Sequence, residues 1–186
     1  GIRIIGPNCM GVYCPKTGLS FAPDFVKECG SAALICQSGG NSMYLVREGV
    51  RRGIRFSKVI SYGNACDIDE SDLLEYLAAD QDTKLIISYI EGVKDGKRFS
   101  RLLKETAKVK PVVVLKGGLG EAGARAAASH TGVLAGSDEV WDGLLHQAGA
   151  IRVYSLEELI DMAVTFAYLP WPRTRADHAG GICSAG

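Results

Sequence analysis

The sequence predicts an α/β protein with a flavodoxin-like fold, an open parallel five-stranded sheet with helices on both faces. Short runs rich in β-branched residues alternate with segments whose apolar residues recur at helical spacing. Two of these runs, residues 84–90 and 111–115, show no polar alternation, which is typical of strands buried on both faces. Strand–helix pairs in this order favour right-handed crossovers and therefore a parallel sheet.

The predicted elements follow one another without an internal repeat or a low-complexity tract. The five strands are predicted at residues 31–36, 56–61, 84–90, 111–115 and 151–154. The helices after them are predicted to end near residues 52, 79, 108, 148 and 169. Gly149 follows the fourth helix, where a left-handed residue commonly ends a helix. Ser155 and Glu158 have the spacing of a capping box, which predicts the start of the last helix.

The predicted flavodoxin-like domain comprises residues 31–172. Residues 1–8 are expected to form a strand and a turn, and residues 1–30 to be the end of a truncated preceding domain plus a linker. Residues 173–186 are expected to be a linker and the start of a truncated following domain. The first residue is Gly rather than Met, which predicts an excised piece of a longer protein.

Composition excludes several classes of protein. Apolar residues make up 47% of the 186 residues and charged residues 23%, which is typical of a globular chain and not of a disordered one. Basic and acidic residues balance at 21 each, so no net field favours nucleic acid or an anionic membrane. No apolar run is long enough to cross a bilayer. Six irregularly spaced cysteines without a C-x-x-C pair predict reduced thiols in a cytoplasmic protein and no metal site.

The turn after the first predicted strand is a candidate anion site. It reads Gln37-Ser38-Gly39-Gly40-Asn41 and opens a helix. Ser38 and Asn41 can cap the helix, while the exposed amides of Gly39 and Gly40 and the helix dipole attract anions. The alternative interpretation is an ordinary turn between a strand and a helix.

Two further candidates lie beyond predicted strands. Glu91 follows the third strand, where its carboxylate either orients a partner group or is a solvated loop acid. His130 stands in a loop of Gly, Ser and Thr. A neutral imidazole is a good nucleophile near pH 7, and a phosphorylated imidazole passes its phosphoryl group on readily. A structural or surface role is the alternative for an isolated histidine.

A glycine pattern after the fourth strand resembles a dinucleotide-binding fingerprint. Gly118, Gly120 and Gly123 form G-x-G-x-x-G, and Asp138 or Glu139 lies at a distance suited to a ribose-binding acid. The fingerprint belongs after a first strand, however, and the acid here falls within a helical pattern. A nicotinamide-binding domain is therefore less favoured than the two functions described below.

Four stretches in order resemble one known family. They are residues 4–11 (IIGPNCMG), 37–40 (QSGG), 90–92 (IEG), and 129–132 (SHTG) with 134–136 (LAG). Together they resemble the α-subunit of NDP-forming acyl-CoA synthetases, particularly the ADP-forming acetate–CoA ligases, relatives of succinyl-CoA synthetase. The resemblance covers nearly the whole chain and implies a succinyl-CoA-ligase-like domain. The loop reads Ser-His-Thr-Gly instead of the Gly-His-Ala-Gly of succinyl-CoA synthetases, which favours the acetate-type branch.

The resemblance implies a role for each candidate. His130 would be transiently phosphorylated, and Glu91 would orient or stabilise its imidazole. Ser38, Gly39, Gly40 and Asn41 would hold the phosphoryl group at the start of the helix. Asn8 and Cys9 would lie near the acyl group or CoA.

The resemblance also implies the partners of a complete enzyme, which would interconvert acyl-CoA, ADP and phosphate with acid, ATP and CoA. CoA and ATP or ADP with Mg²⁺ would be bound mostly by a CoA-binding domain and an ATP-grasp subunit or domain that this chain lacks. The fragment alone would then be inactive, and the complete enzyme would act on a small carboxylic acid and form an oligomer. The alternative is a non-catalytic, effector-binding module of a protein acetyltransferase.

Overall fold

A computed structural model describes residues 1–118 and 137–169 of the chain. They form one six-stranded sheet with the strand order β1-β3-β2-β4-β5-β6. The strands are β1 (Gly11–Tyr13), β2 (Ala32–Cys36), β3 (Phe56–Ser61), β4 (Leu85–Ile90), β5 (Val112–Lys116) and β6 (Ile151–Val153). Strands β2 to β6 are mutually parallel where they pair, which confirms the predicted parallel sheet of five strands in flavodoxin-like order.

Five described helices cover both faces of the sheet, as predicted. They are α1 (Gly39–Arg51), α2 (Glu70–Ala79), α3 (Gly96–Ala107), α4 (Asp138–Ala148) and α5 (Leu156–Tyr168). Helices α1 and α5 contribute buried residues to one core cluster, and α2, α3 and α4 contribute to the other. Each central strand sends alternate side chains into the two clusters, for example Leu34 into the first and Ile35 into the second. Burial on both faces explains why these strands lack polar alternation.

The strand predicted within residues 1–8 is wrong. Residues 1–8 contain no strand, and β1 instead lies at residues 11–13, pairing antiparallel with β3. Tyr13 and Phe25 are buried in the same core cluster as α1. Strand β1 has no signature in the sequence, because three residues at a sheet edge are too few to show a period. The domain boundaries at residues 30 and 172 stay a prediction.

Capping side chains fix the starts of several helices. Asp69 and Asp72 form a complete capping box on α2, which the sequence analysis did not identify. Ser155 Oγ accepts from Glu158 N at 3.0 Å, as its capping-box pattern predicted. The Glu158 carboxylate accepts from Tyr154 N at 2.7 Å, whereas in a complete capping box it would accept from the amide of Ser155. Helix α4 ends as predicted, at Gly149 in the left-handed conformation.

Two further findings concern the helices and the cysteines among the described residues. No helix among them is both long and apolar enough to cross a membrane. Their five cysteines, Cys9, Cys14, Cys29, Cys36 and Cys66, are all free thiols.

Candidate functional site

The topology of the sheet brings two distant segments together. From β2 the chain crosses to β3 on one side and later returns to β4 on the other side of β2. The loops that follow β2 and β4 therefore diverge, and a crevice forms between them at the carboxyl ends of the strands. Cys36 and Tyr89 are register partners, so the next residues, Gln37 and Ser38 on one loop and Glu91 on the other, lie at the mouth of this crevice.

Helix α1 begins at this crevice with a capped and glycine-rich first turn. Ser38 adopts an extended backbone conformation, and its Oγ accepts from Asn41 N at 3.2 Å. Ser42 N closes the first helical bond, on Ser38 O. Helix geometry gives the amides of Gly39 and Gly40 no acceptor within the helix, so they and the helix dipole provide a site for an anion.

The segment before β1 forms a second wall of the crevice. A Cβ on Gly39 would lie 3.1 Å from Met10 N and 3.5 Å from the carbonyl carbon of Cys9, so the absence of a side chain allows this close packing. Asn64 N donates to Pro7 O at 3.0 Å and joins the same segment to the end of β3. Asn8 and Cys9, predicted from the resemblance to lie near the acyl group or CoA, are therefore held beside the start of α1.

Gln37 holds the loop that carries Glu91. Its side-chain Oε1 accepts from Glu91 N at 2.7 Å and from Gly92 N at 3.2 Å. The backbone N–H of Gln37 donates to Tyr89 O. The Gln37 side chain is only 6% exposed, and the phenol of the fully buried Tyr62 also points to Oε1, at 3.4 Å. The sequence places Gln37 in the turn but does not indicate this positioning role, because the role depends on β2 pairing with β4.

The Glu91 carboxylate is also contacted by a tyrosine. Tyr89 Oη donates to Glu91 Oε1 at 3.3 Å. Burial, together with the nearby charge of Glu91, raises the pKa of Tyr89 well above its ordinary value, so the phenol remains protonated and able to donate. Tyr89 is a second positioning residue that the sequence analysis missed.

Gln37, Glu91 and the first turn of α1 line one pocket of about 420 Å³. Its more polar lining residues are Asn8, Gln37, Ser38, Gly39, Gly40, Gly63, Asn64 and Glu91. Its less polar lining residues are Cys9, Met10, Phe21 and Met43. Asn41 is not among the lining residues, although its amide takes part in the cap. The structure thus brings Ser38, Gly39, Gly40 and Glu91 together with Asn8 and Cys9.

The thiol beneath this pocket is not a nucleophile at neutral pH. Burial raises the pKa of Cys36 to about 12, although hydrogen bonds with Ser42 and Ser38 oppose the rise. Its Sγ lies 3.1 Å from Ser38 O, so the thiol packs under the cap. The groups that can attract an anion here are therefore the amides of Gly39 and Gly40 and the helix dipole, not this thiol.

The remaining predicted residues are not among the described residues that line the pocket. His130 lies outside the described residues, so its position relative to Glu91 stays a prediction. Gly120 and Gly123 of the dinucleotide-like pattern lie outside them too. Asp138 starts α4 and pairs with Arg152, and Arg152 Nη1 lies 2.6 Å from a carboxylate oxygen of Asp142, so Asp138 is engaged within the fold. Residues 1–118 and 137–169 contain no cluster of three or more side chains suited to a metal ion.

Comparisons with known proteins agree with this architecture. A family model described as the succinyl-CoA ligase like flavodoxin domain matches residues 29–166. Among curated proteins, the acetate–CoA ligase [ADP-forming] I subunit alpha of Pyrococcus furiosus is 46% identical over 93% of this chain. The 4-hydroxybutyrate–CoA ligase [ADP-forming] of Nitrosopumilus maritimus is 43% identical over 92% of it. The matches span 38% and 25% of those two proteins, respectively.

A solved structure matches closely as well. It is the dinucleotide forming acetyl-coenzyme A synthetase 1 of Ca. Korarchaeum cryptofilum in complex with phosphate and ADP. The TM-score is 0.83 at 34% identity, and the match covers 94% of this chain and 38% of that one.

Proposed function

Because the chain belongs to the family of succinyl-CoA-ligase-like flavodoxin domains, we propose that it is the phosphohistidine-bearing unit of an ADP-forming acyl-CoA synthetase, an acid–thiol ligase. The chain spans about two fifths or less of the relatives that it matches, so the complete activity requires further units. These would be a CoA-binding domain and an ATP-grasp domain or subunit that binds ATP or ADP with Mg²⁺.

One observation carries the proposal: the start of α1 and the Glu91 carboxylate share one pocket. The amides of Gly39 and Gly40 supply an anion site for a phosphoryl group. A carboxylate opposite them can hold the N–H of an imidazole and so fix which ring nitrogen is free to attack. The pocket therefore provides the two functions that a phosphohistidine step requires, with His130 as the carrier.

The proposed reaction proceeds in three transfers. An oxygen of inorganic phosphate attacks the thioester carbonyl of acyl-CoA, the C–S bond breaks, and CoA leaves as the thiol with acyl phosphate as the product. A ring nitrogen of His130 then attacks phosphorus, the P–O bond to the acyl group breaks, and the carboxylate leaves. Finally a terminal oxygen of ADP takes the phosphoryl group, which gives ATP and restores the imidazole.

The acid substrate of this chain follows from its chemistry and its relatives only as a class. The relatives are named for acetate and for 4-hydroxybutyrate, so domains of this family occur in ligases for acids of different length. We therefore assign a small carboxylic acid as the substrate.

The test is phosphoryl labelling of the assembled enzyme with γ-labelled ATP and Mg²⁺. Wild type is expected to form an adduct that is labile in acid and stable in base, as a phosphoramidate is, whereas a serine or threonine ester survives acid. His130→Ala should abolish both the adduct and ligation, since binding energy cannot replace the nucleophile. His146→Ala is the matched control because His146 lies exposed on α4, away from the pocket, and it should label normally.

Graded variants test the other two assignments. Glu91→Gln should slow labelling less than His130→Ala, because an orienting carboxylate does not carry the phosphoryl group. Ser38→Ala should have the smallest effect, since the amides and the helix dipole persist without the hydroxyl. Full labelling of His130→Ala would move the relay to another residue. A wild-type enzyme that never labels would contradict the proposal and favour an effector-binding module.

A further inference from the structure

Phe21 lies on a short loop whose following residues are anchored to the fold. Ala22 and Phe25, which follow it, are buried in the core, and the Phe25 ring packs on Tyr13 with centroids 4.9 Å apart. Arg47 of α1 pairs with Asp24 at 2.8 Å and lies over the Phe25 ring. The loop is therefore anchored to the helix whose first turn forms the anion site.

Despite these anchors, the Phe21 ring is 59% exposed and lines the pocket. A single exposed aromatic residue is common on protein surfaces and by itself indicates nothing. Here, however, the ring stands on an anchored loop and lines the same pocket as Met10 and Met43. Together these three side chains, called the apolar wall below, supply apolar surface to a pocket that also includes Ser38 and Glu91.

The geometry points to Phe21 as a specificity-determining residue: with Met10 and Met43, its ring contacts the hydrocarbon portion of the carboxylic acid and limits its length. This inference rests on the proposed function. It adds to that function the part of the chain that distinguishes one acid from another.

The chemistry of the reaction dictates where the hydrocarbon lies. The carboxylate of the acid has to reach the phosphoryl group, so the reacting end is held at the first turn of α1 when that turn binds phosphate. The rest of a small acid must then extend away from the amides of Gly39 and Gly40. Among the described residues that line the pocket, Met10, Phe21 and Met43 offer it apolar side chains, with Cys9 beside Met10 in the sequence.

The charge of the pocket supports a hydrocarbon at this wall. None of the described residues that line it is a lysine or an arginine, and Glu91 contributes a negative charge. Arg47 is the nearby cation on α1, and its guanidinium is paired with Asp24. A second carboxylate on the acid would lack a partner there, whereas methylene groups gain contact with the ring and the two thioethers.

The test compares acids of increasing length in the assembled enzyme. Phe21→Ala should raise the ratio of kcat/KM for hexanoate to that for acetate by about tenfold, because removing the ring makes room for additional methylene groups. Phe21→Trp should lower the same ratio. Leu19→Ala is the matched control, since Leu19 lies on the same loop with 54% exposure but does not line the pocket.

The outcomes separate this inference from the proposed function. A wild-type enzyme that ligates no acid would overturn both. A wild type that ligates, with a ratio in Phe21→Ala that changes no more than in Leu19→Ala, would overturn only the assignment of Phe21. The melting temperature of each variant shows whether it folds. If Phe21→Ala does not fold, Phe21→Leu replaces it, and this smaller change should raise the ratio of kcat/KM for hexanoate to that for acetate as well.

Discussion

The two ends of the parallel sheet treat their polar groups differently. At the amino end, the Lys58 ammonium pairs with Asp80 at 2.7 Å, and both side chains are nearly buried, 13% and 12% exposed. Thr83 Oγ1 donates to the same carboxylate and also bonds to Ser57 Oγ. Lys110 Nζ donates to the carbonyl of Asp80. Each of these charges has a partner within the fold.

At the carboxyl end, several polar groups are left open. The amides at the start of α1 and part of the Glu91 carboxylate face a pocket. Glu70 Oε1 and Ser71 Oγ, at the start of α2, are buried without a hydrogen-bond partner among the described residues. Polar groups that satisfy one another stabilise the fold, whereas groups that face the pocket are available to a ligand. The amino end therefore contributes to stability, and the proposed ligand site lies at the carboxyl end.

The sharpest way to test this comparison is to release the Glu91 loop. Gln37→Ala removes the acceptor of Glu91 N and Gly92 N, so the carboxylate loses its position. We expect phosphoryl labelling of the assembled enzyme to slow by about 100-fold, the size of effect that a displacement of about 1 Å can produce. Gln147→Ala, at an exposed position of α4, is the control. An unchanged labelling rate in Gln37→Ala would contradict the positioning role.

The amino end should respond in stability instead. Asp80→Asn removes the carboxylate 2.7 Å from the nearly buried Lys58 ammonium and leaves it the more exposed Asp82, 3.7 Å away. The variant should lower the free energy of unfolding by about 2 kcal/mol at pH 7, measured by urea denaturation. Glu105→Gln is the control, because Glu105 pairs with Arg101 at an exposed position of α3, and its loss should cost under about 1 kcal/mol. Equal losses of the free energy of unfolding in the two variants would show that the nearly buried pair contributes no more than the exposed one.

The same pair predicts a pH dependence. Burial acts to raise the pKa of Asp80, but the hydrogen bonds from Lys58 and Thr83 outweigh it and hold the pKa below its ordinary value. The stabilisation is therefore present above the pKa of the unfolded chain, about 4, and is lost as pH falls through the lower folded value. The difference between wild type and Asp80→Asn should shrink below about pH 4.

Glu70 should show the smallest effect and the opposite sign. Burial raises its pKa to about 7, and the charge of Asp69 adds to the rise, whereas Lys94 and Arg98 oppose it. Ionisation is then costlier in the folded state, so wild-type stability falls as pH rises from about 4.5 to about 7. Glu70→Gln should stabilise the protein by about 1 kcal/mol at pH 8 and by almost nothing at pH 4, in thermal denaturation. A variant that is less stable at pH 8 would show that the Glu70 carboxylate has a favourable partner.

Local patterns in the sequence predicted most of the fold. The strands at 84–90 and 111–115 could be predicted because both of their faces are buried. Burial on both faces requires an uninterrupted run of apolar residues, and such a run is visible in the sequence itself. Ser155 and Gly149 marked a helix start and a helix end because capping depends on neighbouring residues. Strand β1 was missed, since its place in the sheet comes from pairing with β3, about fifty residues away.

The candidate site likewise has features that local sequence predicts and features that only tertiary contacts create. The sequence by itself determined that the Ser38 turn and Glu91 follow strands, and a parallel sheet brings such ends to one edge. Only the tertiary structure decided that Gln37 holds the Glu91 loop and that Phe21 lines the pocket. The physical reason is that capping and strand burial are local, whereas a hydrogen bond across 54 positions exists only once β2 has paired with β4.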